Sequence, residues 1–541
     1  MRPGDRVAIL SENRPEWAIA DYACLAACCT DVPIYPTLPA RQAEYILRDS
    51  GAVAVLVSSD AQLEKILAVR DRMPALRHVI GLEGRGAGIL PYPELLALGR
   101  AARERYPDWR ERALRASPDD LATLIYTSGT TGDPKGVMLT HGNIASNVTT
   151  SVDLFAFRES DECLSFLPLS HIFERMFGHY CMFHKGVLIN YAGGIDTVPS
   201  DMLERRPTLM ASVPRLYEKI YARVHDAARS ASPLRRRLFA WGKQVGEEWA
   251  DRTLSRRPVP PTLALARGVA DRLVFAKLRA RTGGRIRFFI SGGAPLSPDI
   301  ARFFHAAGLP ILEGYGLTET SPVMAVNTFE HLKLGTVGRP IPGVEIRIAP
   351  DGEIITRGPN VMRGYFNKPE ATAEALDPEG WFRTGDIGLL DAEGFLRITD
   401  RKKDLIVTAG GKNIAPQPIE NLAKTSKFVA SAVMLGDRRP FPVMLVVPNA
   451  DAVQGWARHK GLGDGSLEQL LSQAEVQQKV EREVRKTLRD LAQYEMPKRL
   501  LLLPRDFSVE AGELTPTLKV RRRIVEQRHR AAIEALYADH Q

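Results

Sequence analysis

One stretch constrains this chain more than any other: a short apolar run at residues 121–126 that breaks into a loop rich in glycine and hydroxyl groups. The run has the length and composition of a β-strand. Glycines let backbone N–H groups turn towards a ligand, hydroxyls add donors and a lysine adds a cation, so the loop suits a polyphosphate. The loop is not a Walker A loop, because Gly136 stands where that motif requires Ser or Thr. The alternative to a phosphate-binding loop is an ordinary surface turn. The candidate phosphate-binding residues are Thr127, Ser128, Gly129, Thr130, Thr131, Gly132 and Lys135.

The two ends of the chain both predict α/β structure. Residues 7–10 and 52–57 are apolar runs of strand length, and residues 15–27 between them are typical of a helix. Near the other end, an apolar stripe at helical spacing predicts a helix that faces a core. The stripe consists of Val476, Val480, Val484, Leu488 and Leu491.

The composition is that of an ordinary globular protein, with 44% hydrophobic and 25% charged residues, and 541 residues predict two or three domains. No apolar run approaches the length of a membrane-spanning helix, and the N-terminus lacks the hydrophobic region of a signal peptide. The cysteines form no C-x-x-C pair and lie in apolar surroundings, which predicts reduced, buried thiols in a cytoplasmic protein. They are Cys24, Cys28, Cys29, Cys163 and Cys181.

Positive charge is concentrated in one segment. Residues 215–287 contain 18 Lys/Arg against 6 Asp/Glu, although the whole chain carries a net charge of only +9. Such a segment can attract nucleic acid or an anionic membrane surface, and a solvated helical hairpin explains it equally well. No nucleic-acid-binding signature accompanies it, so we expect no nucleic-acid partner. Peripheral attachment to the inner face of an anionic membrane stays open as an alternative to a wholly cytoplasmic protein.

Further motifs follow the glycine-rich loop in a fixed order, and so many in one chain are not plausibly chance. They occupy residues 166–171, 291–295, 314–319, 335–340, 381–386, 400–404 and 514–519.

Together these motifs resemble the acyl-adenylate-forming superfamily, which includes acyl-CoA synthetases, luciferases and the adenylation domains of peptide synthetases. The resemblance covers nearly the whole chain, and the strings at 166–175 and 408–416 resemble long-chain acyl-CoA synthetases in particular. It implies an α/β fold with a large N-terminal domain of layered sheets and helices, residues 1–400. A small mobile C-terminal α/β domain, residues 401–541, would follow, with a hinge at Lys403. Relatives usually carry several dozen further residues at the start, so we expect a naturally short chain or a late start.

The resemblance also implies the nucleotide contacts. Tyr315 would stack on adenine, and Asp386 and Arg401 would contact the ribose. Glu319 and the Thr127 hydroxyl would hold Mg²⁺, which prefers hard oxygen ligands. The remaining ATP- and AMP-binding positions are Gly292, Gly293, Gly314, Gly316 and Thr318.

The catalytic residues implied are Lys519, Glu319, His171 and Thr127. Lys519 resembles the adenylation lysine that the small domain delivers, and His171 would lie beside the acyl carboxylate and the reacting phosphate. Gly410 and Gly411 would line the CoA side. Val407 departs from relatives that carry a lysine there.

The expected activity is therefore ATP-dependent activation of a fatty acid, long-chain by resemblance, to acyl-AMP, followed by transfer to CoA. The expected ligands are fatty acid, ATP, CoA and Mg²⁺. One alternative is a ligase that acts on a carrier protein or on a shorter or aromatic acid. Another is a non-catalytic sensor of acyl nucleotides.

Overall fold

Alternating strands and helices build two large sheets, a four-stranded sheet and a smaller C-terminal unit. The structure is a computed structural model that describes residues 1–127, 133–508, 510–515 and 519–538.

The strands are β1 (Arg6–Leu10), β2 (Thr30–Ile34), β3 (Ala54–Val57), β4 (His78–Gly81), β5 (Ile89–Pro91), β6 (Leu121–Thr127), β7 (Lys135–Thr140), β8 (Glu162–Ser165), β9 (Leu188–Tyr191), β10 (Leu209–Ser212), β11 (Phe288–Ser291), β12 (Ile311–Gly316), β13 (Val323–Val326), β14 (Arg339–Pro340), β15 (Glu345–Ile348), β16 (Glu353–Arg357), β17 (Gly364–Tyr365), β18 (Phe382–Leu390), β19 (Leu396–Arg401), β20 (Ile406–Val407), β21 (Asn413–Ile414), β22 (Val429–Leu435), β23 (Val443–Pro448) and β24 (Arg499–Leu502).

The α-helices are α1 (Pro15–Ala26), α2 (Ala40–Ser50), α3 (Asp60–Leu67), α4 (Tyr92–Ala102), α5 (Trp109–Ala113), α6 (His141–Leu154), α7 (Ile172–Glu174), α8 (Met182–His184), α9 (Val198–Arg205), α10 (Pro214–Arg229), α11 (Pro233–Leu254), α12 (Pro261–Ala270), α13 (Ala276–Ala280), α14 (Pro298–Ala306), α15 (Pro369–Ala375), α16 (Pro416–Lys424), α17 (Ala450–Lys460), α18 (Leu467–Leu471), α19 (Ala474–Thr487), α20 (Arg522–Arg528) and α21 (Arg530–Ala535). Two π-helical segments, Arg175–Cys181 and Asp271–Phe275, continue α7 into α8 and α12 into α13.

The first sheet has the strand order β17-β7-β6-β2-β1-β3-β4-β5. Its strands from β6 to β5 run parallel, and β7 and β17 add to the β6 edge in antiparallel fashion. Parallel strands joined by helices need cover on both faces, which explains their nearly continuous apolar sequences. One face packs against α2 and α3, and the other faces the second sheet through α6. The sheet therefore brings the start of the glycine-rich loop to its β6–β7 edge.

The second sheet has the order β14-β13-β12-β11-β10-β8-β9, with parallel strands from β9 to β12. A core of aromatic and aliphatic side chains, including Phe288, Phe289 and Phe304, fills the space around it. Residues 291–295 and 314–319 come at the carboxyl ends of β11 and β12. Ligands of open α/β sheets bind at such strand ends.

The C-terminal unit is built on the sheet β22-β23-β24. Alternate residues of its strands enter two cores, with Met434 and Met444 on one face and Val433 and Val443 on the other. Helix α19 buries Val476, Val480 and Val484 on the first face, as the stripe predicted. The four-stranded sheet β15-β16-β18-β19 ends at Arg401, next to the expected hinge. The division into domains at residue 400 stays a prediction.

The part of the chain that precedes the expected hinge at Lys403 is called the large lobe below. A fully buried arginine connects three of its elements. The Arg175 guanidinium pairs with the carboxylates of Asp21 on α1 and Asp31 on β2, and donates to Thr123 Oγ1 on β6 at 2.9 Å. A buried charge is tolerated only where partners and hydrogen bonds compensate its desolvation. The helix that begins after His171 is thus fixed directly to the strand that leads into the glycine-rich loop.

The basic segment 215–287 folds as the helices α10 to α13. Part of its charge is neutralised within the lobe, since Arg267 and Arg279 both pair with Asp271 and Arg285 pairs with Glu162. Attachment of this segment to an anionic membrane stays a prediction. In the described part of the chain, no helix combines the length and apolar character needed to cross a membrane.

All five cysteines are free thiols, as expected. Four are buried, whereas Cys28 is partly exposed, so the expectation of burial was wrong for this one residue. Its backbone adopts φ +53° in the turn between α1 and β2, and the turn leaves the side chain at the surface.

Candidate active site

The glycine-rich loop leaves the first sheet at Thr127 and returns at Lys135, and these two residues pair across β6 and β7. Lys135 Nζ lies 4.8 Å from the centre of the Tyr365 ring, a cation–π contact. The predicted ligands Ser128, Gly129, Thr130, Thr131 and Gly132 fall outside the described residues. The structure therefore places Lys135, where the predicted phosphate loop returns to the sheet, beside a tyrosine of strand β17.

Glu319 lies on the turn that follows β12 and points towards the same tyrosine. The Tyr365 hydroxyl donates to Glu319 Oε1 at 2.9 Å, and the Met362 N–H donates to the Glu319 carbonyl at 2.8 Å. Burial raises the pKa of Glu319, partly offset by hydrogen bonds and by the charges of Arg401 and Lys519. Tyr365 thus joins the phosphate loop to the predicted metal ligand.

Tyr315 and Asp386 are direct partners. The Tyr315 hydroxyl donates to Asp386 Oδ2 at 2.6 Å, and both side chains are buried. Arg401 Nε lies 3.5 Å from Asp386 Oδ1 across the β18–β19 pair. Burial raises the pKa of Asp386, against the opposing effects of Arg401 and Tyr315. The three residues predicted to contact adenine and ribose therefore form one connected group.

Lys519 of the C-terminal unit enters this group from the other side. Its amine is close enough to Arg401, Asp386 and Glu319 to interact electrostatically with each. Burial, and then the positive charge of Arg401, lower the pKa of Lys519 to about 8. A Cβ atom added to Gly293 would lie 4.0 Å from Lys519 Cε. The lysine predicted to be catalytic thus lies within the pocket formed by the large lobe.

His171 caps the helix that starts at Ile172. Its Nδ1 accepts a hydrogen bond from the Phe173 N–H at 3.1 Å, so the neutral imidazole carries its proton on Nε2. Burial, and then the charge of Lys519, lower the pKa of His171 to about 3. The Phe173 ring covers Gly292 so closely that an added Cβ would approach it to 3.2 Å. His171 is therefore a neutral hydrogen-bond donor on the pocket wall.

The glycines of residues 314–319 allow a close backbone approach. A Cβ atom on Gly316 would lie 1.7 Å from the carbonyl oxygen of Pro322, a distance so short that any side chain at this position would clash. Gly314 lies opposite Val326 in the β12–β13 pair, and Thr318 starts the turn that carries Glu319. This packing fixes the chain between Tyr315 and Glu319.

The predicted hinge and the predicted CoA-side loop are exposed at the surface. Lys403 is exposed, next to Lys402, whose amine pairs with Asp351 at 2.7 Å. Gly410 and Gly411 are exposed in the turn of the β20–β21 hairpin, and a Cβ on Gly411, at φ +73°, would meet no atom within 4 Å. In this arrangement the C-terminal unit presents Lys519 to the pocket, whereas its paired glycines face outwards.

Sequence reasoning missed Tyr365, which contacts both Lys135 and Glu319. The two-residue strand that carries it has no periodicity to detect. It also missed the Tyr315–Asp386 hydrogen bond, because it assigned the two residues to different parts of the nucleotide. The residues that the structure describes contain no group of three or more His, Cys, Asp or Glu side chains arranged to hold a metal ion.

Comparison with known proteins places the chain in a family. The AMP-binding enzyme family matches residues 1–366, and the C-terminal domain of AMP-binding enzymes matches residues 403–541. The chain therefore belongs to the AMP-binding enzyme family.

Two relatives carry the names of fatty-acid-activating enzymes. The long-chain-fatty-acid–CoA ligase FadD15 of Mycobacterium bovis is 39% identical over 541 residues, which cover 99% of this chain and 88% of the relative. The peroxisomal long chain acyl-CoA synthetase 6 of Arabidopsis thaliana is 34% identical over 566 residues, covering 99% of this chain and 78% of the relative.

The fold also matches solved structures. The adenylation domain of a carboxylate reductase from Mycobacterium chelonae superposes with a TM-score of 0.75 at 22% identity, covering 99% of this chain and 81% of that domain. This likeness concerns the fold, and it confirms the expected α/β architecture.

Proposed function

We propose that this protein is an acid–thiol ligase that activates a long-chain fatty acid to acyl-AMP and then transfers the acyl group to CoA. One observation carries the proposal: the amine of Lys519 lies among Glu319, Asp386 and Arg401, in a pocket that also holds Tyr315. The names of the relatives support the long-chain substrate and the CoA acceptor.

In the first step a fatty-acid carboxylate oxygen attacks the α-phosphorus of ATP. The bond from that phosphorus to the bridging oxygen breaks, and pyrophosphate leaves with the electron pair. Two anions must approach each other, so cations fixed around the site lower the barrier. Lys519 and Lys135 supply positive charge. His171 donates a hydrogen bond from Nε2–H to an oxygen of the reacting groups and stays neutral.

The residues present fit a bound Mg²⁺. Glu319 offers a partly buried carboxylate whose Oε1 is oriented by Tyr365, and the Thr127 hydroxyl lies at the start of the phosphate loop. One carboxylate and one hydroxyl suffice, because Mg²⁺ in nucleotide sites takes further ligands from phosphates and water. When bound, the ion would neutralise phosphate charge. The protein's part would be to supply these two oxygens to the ion.

In the second step the thiol of CoA attacks the acyl carbon, AMP leaves, and the thiol proton passes to a base or to water. Lys519 occupies the pocket in the present arrangement, so the part of the C-terminal unit that follows Lys403 would rotate about that residue. This rotation would withdraw Lys519 and bring Gly410 and Gly411 to the acyl-AMP. Closure of this kind also keeps water from the reactive anhydride.

Replacement of Lys519 by alanine tests the proposal directly. We expect the acid-dependent release of pyrophosphate to fall by roughly 10²–10³, the usual effect of removing one stabilising group. Thioester formation from supplied acyl-AMP and CoA should stay near the wild-type rate. Equal losses in both half-reactions would contradict the role given to Lys519.

A thioester assay with acids from acetate to oleate tests the substrate class. A preference for long chains with free CoA supports the proposal. Activity only with a carrier protein, or only with short or aromatic acids, would favour the alternative ligases. No pyrophosphate release with any acid would leave a non-catalytic sensor of acyl nucleotides.

A further inference from the structure

Two ion pairs join the first turns of helix α10 in the large lobe to the C-terminal unit. The Arg215 guanidinium donates to Asp506 Oδ2, and Lys424 Nζ lies 3.5 Å from Glu218 Oε1. All four side chains are about one-fifth to one-third exposed, so water screens the pairs only in part.

The same end of α10 forms part of the pocket wall. Val213 immediately precedes the helix, and its Cγ1 would lie 3.8 Å from a Cβ on Gly293. Lys519 Cε approaches that same Gly293 position to 4.0 Å. Arg215 and Glu218 thus lie two and five residues beyond Val213, the residue that borders the lysine, within the first two turns of the helix.

Each partner on the C-terminal unit is itself held in place. Asp506 accepts a second hydrogen bond from Ser431 Oγ at 2.7 Å, which fixes the carboxylate that faces Arg215. Lys424 is the last residue of α16. At the other end of this helix, the Gln417 N–H donates a hydrogen bond to Asp400 Oδ2 at 3.0 Å, which holds the first turn in place. Helix α16 is therefore fastened near the hinge at one end and on α10 at the other.

The charges alternate across the interface. The large lobe offers a cation at Arg215 and an anion at Glu218, and the C-terminal unit offers the complementary anion and cation. A crossed pattern of this kind favours one register of docking, because a shifted register would bring like charges together.

We propose that Arg215 and Glu218 are positioning residues that hold the C-terminal unit in the arrangement that delivers Lys519, and that both pairs open before the thioester step. The inference rests on the proposed function and adds the residues that set the balance between its two half-reactions. Neither residue touches the reacting groups.

The expected effects follow from the strength of partly exposed ion pairs, which corresponds to about a two- to fivefold change in an equilibrium. Breaking one pair should therefore lower the rate of adenylation by about two- to fivefold. Thioester formation from supplied acyl-AMP should be unchanged or faster, since the C-terminal unit is released more easily.

Charge reversal provides the test. Arg215→Asp and Asp506→Arg are made singly and together, as are Glu218→Lys and Lys424→Glu. We expect each single variant to lower the ratio of the adenylation rate to the thioester rate, and each double reversal to restore it. Arg252→Asp is the matched control, because Arg252 pairs with Glu248 within helix α11 and not across the interface. This substitution should leave the ratio of the adenylation rate to the thioester rate unchanged.

A distance measurement gives a readout that does not depend on activity. Spin labels at Arg223→Cys on α10 and Lys460→Cys on α17, in a Cys28→Ser background, report the separation of the two units. Single charge reversals should broaden the distribution of distances between the two spin labels, and double charge reversals should narrow it again.

The outcomes separate this inference from the proposed function. A wild-type protein that forms acyl-CoA, with single variants whose rate ratio and distance distribution are unchanged, overturns the inference alone. Failure of the double reversals to restore the ratio also overturns it. A wild-type protein that releases no pyrophosphate with any acid overturns the proposed function, and the inference with it.

Discussion

The hydroxyl of Tyr315 donates a 2.6 Å hydrogen bond to Asp386, a residue 71 positions further along the chain. The bond joins the end of β12 in the second sheet to β18 in the four-stranded sheet. It also fixes the position of the tyrosine hydroxyl end of the ring. Under the proposed function, the surface for the adenine and the acceptor for the ribose are therefore preorganised as one unit.

Tyr315→Phe tests this unit, because it keeps the ring and removes only the hydroxyl. We expect the KM for ATP to rise by about three- to tenfold, since a buried acceptor loses its donor and the ring is no longer held. The kcat for adenylation should change less. Pyrophosphate release at varied ATP concentration measures both values. A KM equal to that of the wild type would show that the hydrogen bond does not organise the site.

The pKa of Lys519, lowered to about 8, predicts a pH dependence. The amine is charged below that value and neutral above it, so kcat/KM for adenylation should fall as the pH rises through about 8. Lys519→Arg should lack this alkaline decrease even if it is slower overall, because arginine stays protonated. An identical decrease in wild type and Lys519→Arg would assign the titration to another group.

Gly316→Ala should disrupt the site through sterics. The added methyl would lie 1.7 Å from the Pro322 carbonyl oxygen, so the backbone must shift, at a cost of about 1–3 kcal/mol or more. We expect a lower unfolding midpoint and a loss of adenylation. Gly99→Ala on the exposed surface of α4 is the control, since its Cβ would meet no atom within 4 Å and the melting temperature should be unchanged or higher. Equal stability of the two variants would argue against the close approach.

Lys403→Pro should restrict the proposed hinge, because proline fixes φ near −65°. We expect thioester formation to fall more than adenylation, which needs only the present arrangement. Lys403→Ala, which keeps the backbone free, should retain both half-reactions. If both proline and alanine variants lost adenylation to the same extent, Lys403 would act through its side chain.

The sequence predicted what local patterns determine. The strand expected at 7–10 is observed as β1 (Arg6–Leu10), and the helix expected at 15–27 is α1 (Pro15–Ala26). Both predictions succeeded because apolar periodicity is a local property. The motif residues Glu319 and Asp386 could be recognised because each lies in a distinctive short string.

What the sequence could not predict depends on contacts between distant segments. Tyr365 reaches Glu319 only because β17 adds to the edge of β7, and no local signal specifies that pairing. The buried Arg175 contradicts the usual preference of charges for the surface. Its two carboxylate partners precede it by 154 and 144 residues, so only the folded chain brings them together.

The wide separation of the pocket residues along the chain has a consequence for biosynthesis. Thr127, Glu319, Tyr365, Arg401 and Lys519 emerge from the ribosome in that order, while domains generally fold as they are made, N-terminal first. The large lobe can form its cores early, yet its pocket lacks its final cation until the last part of the chain is made. Under the proposed function, a nascent chain that stops before Lys519 would therefore be folded over most of its length and still be unable to activate an acid.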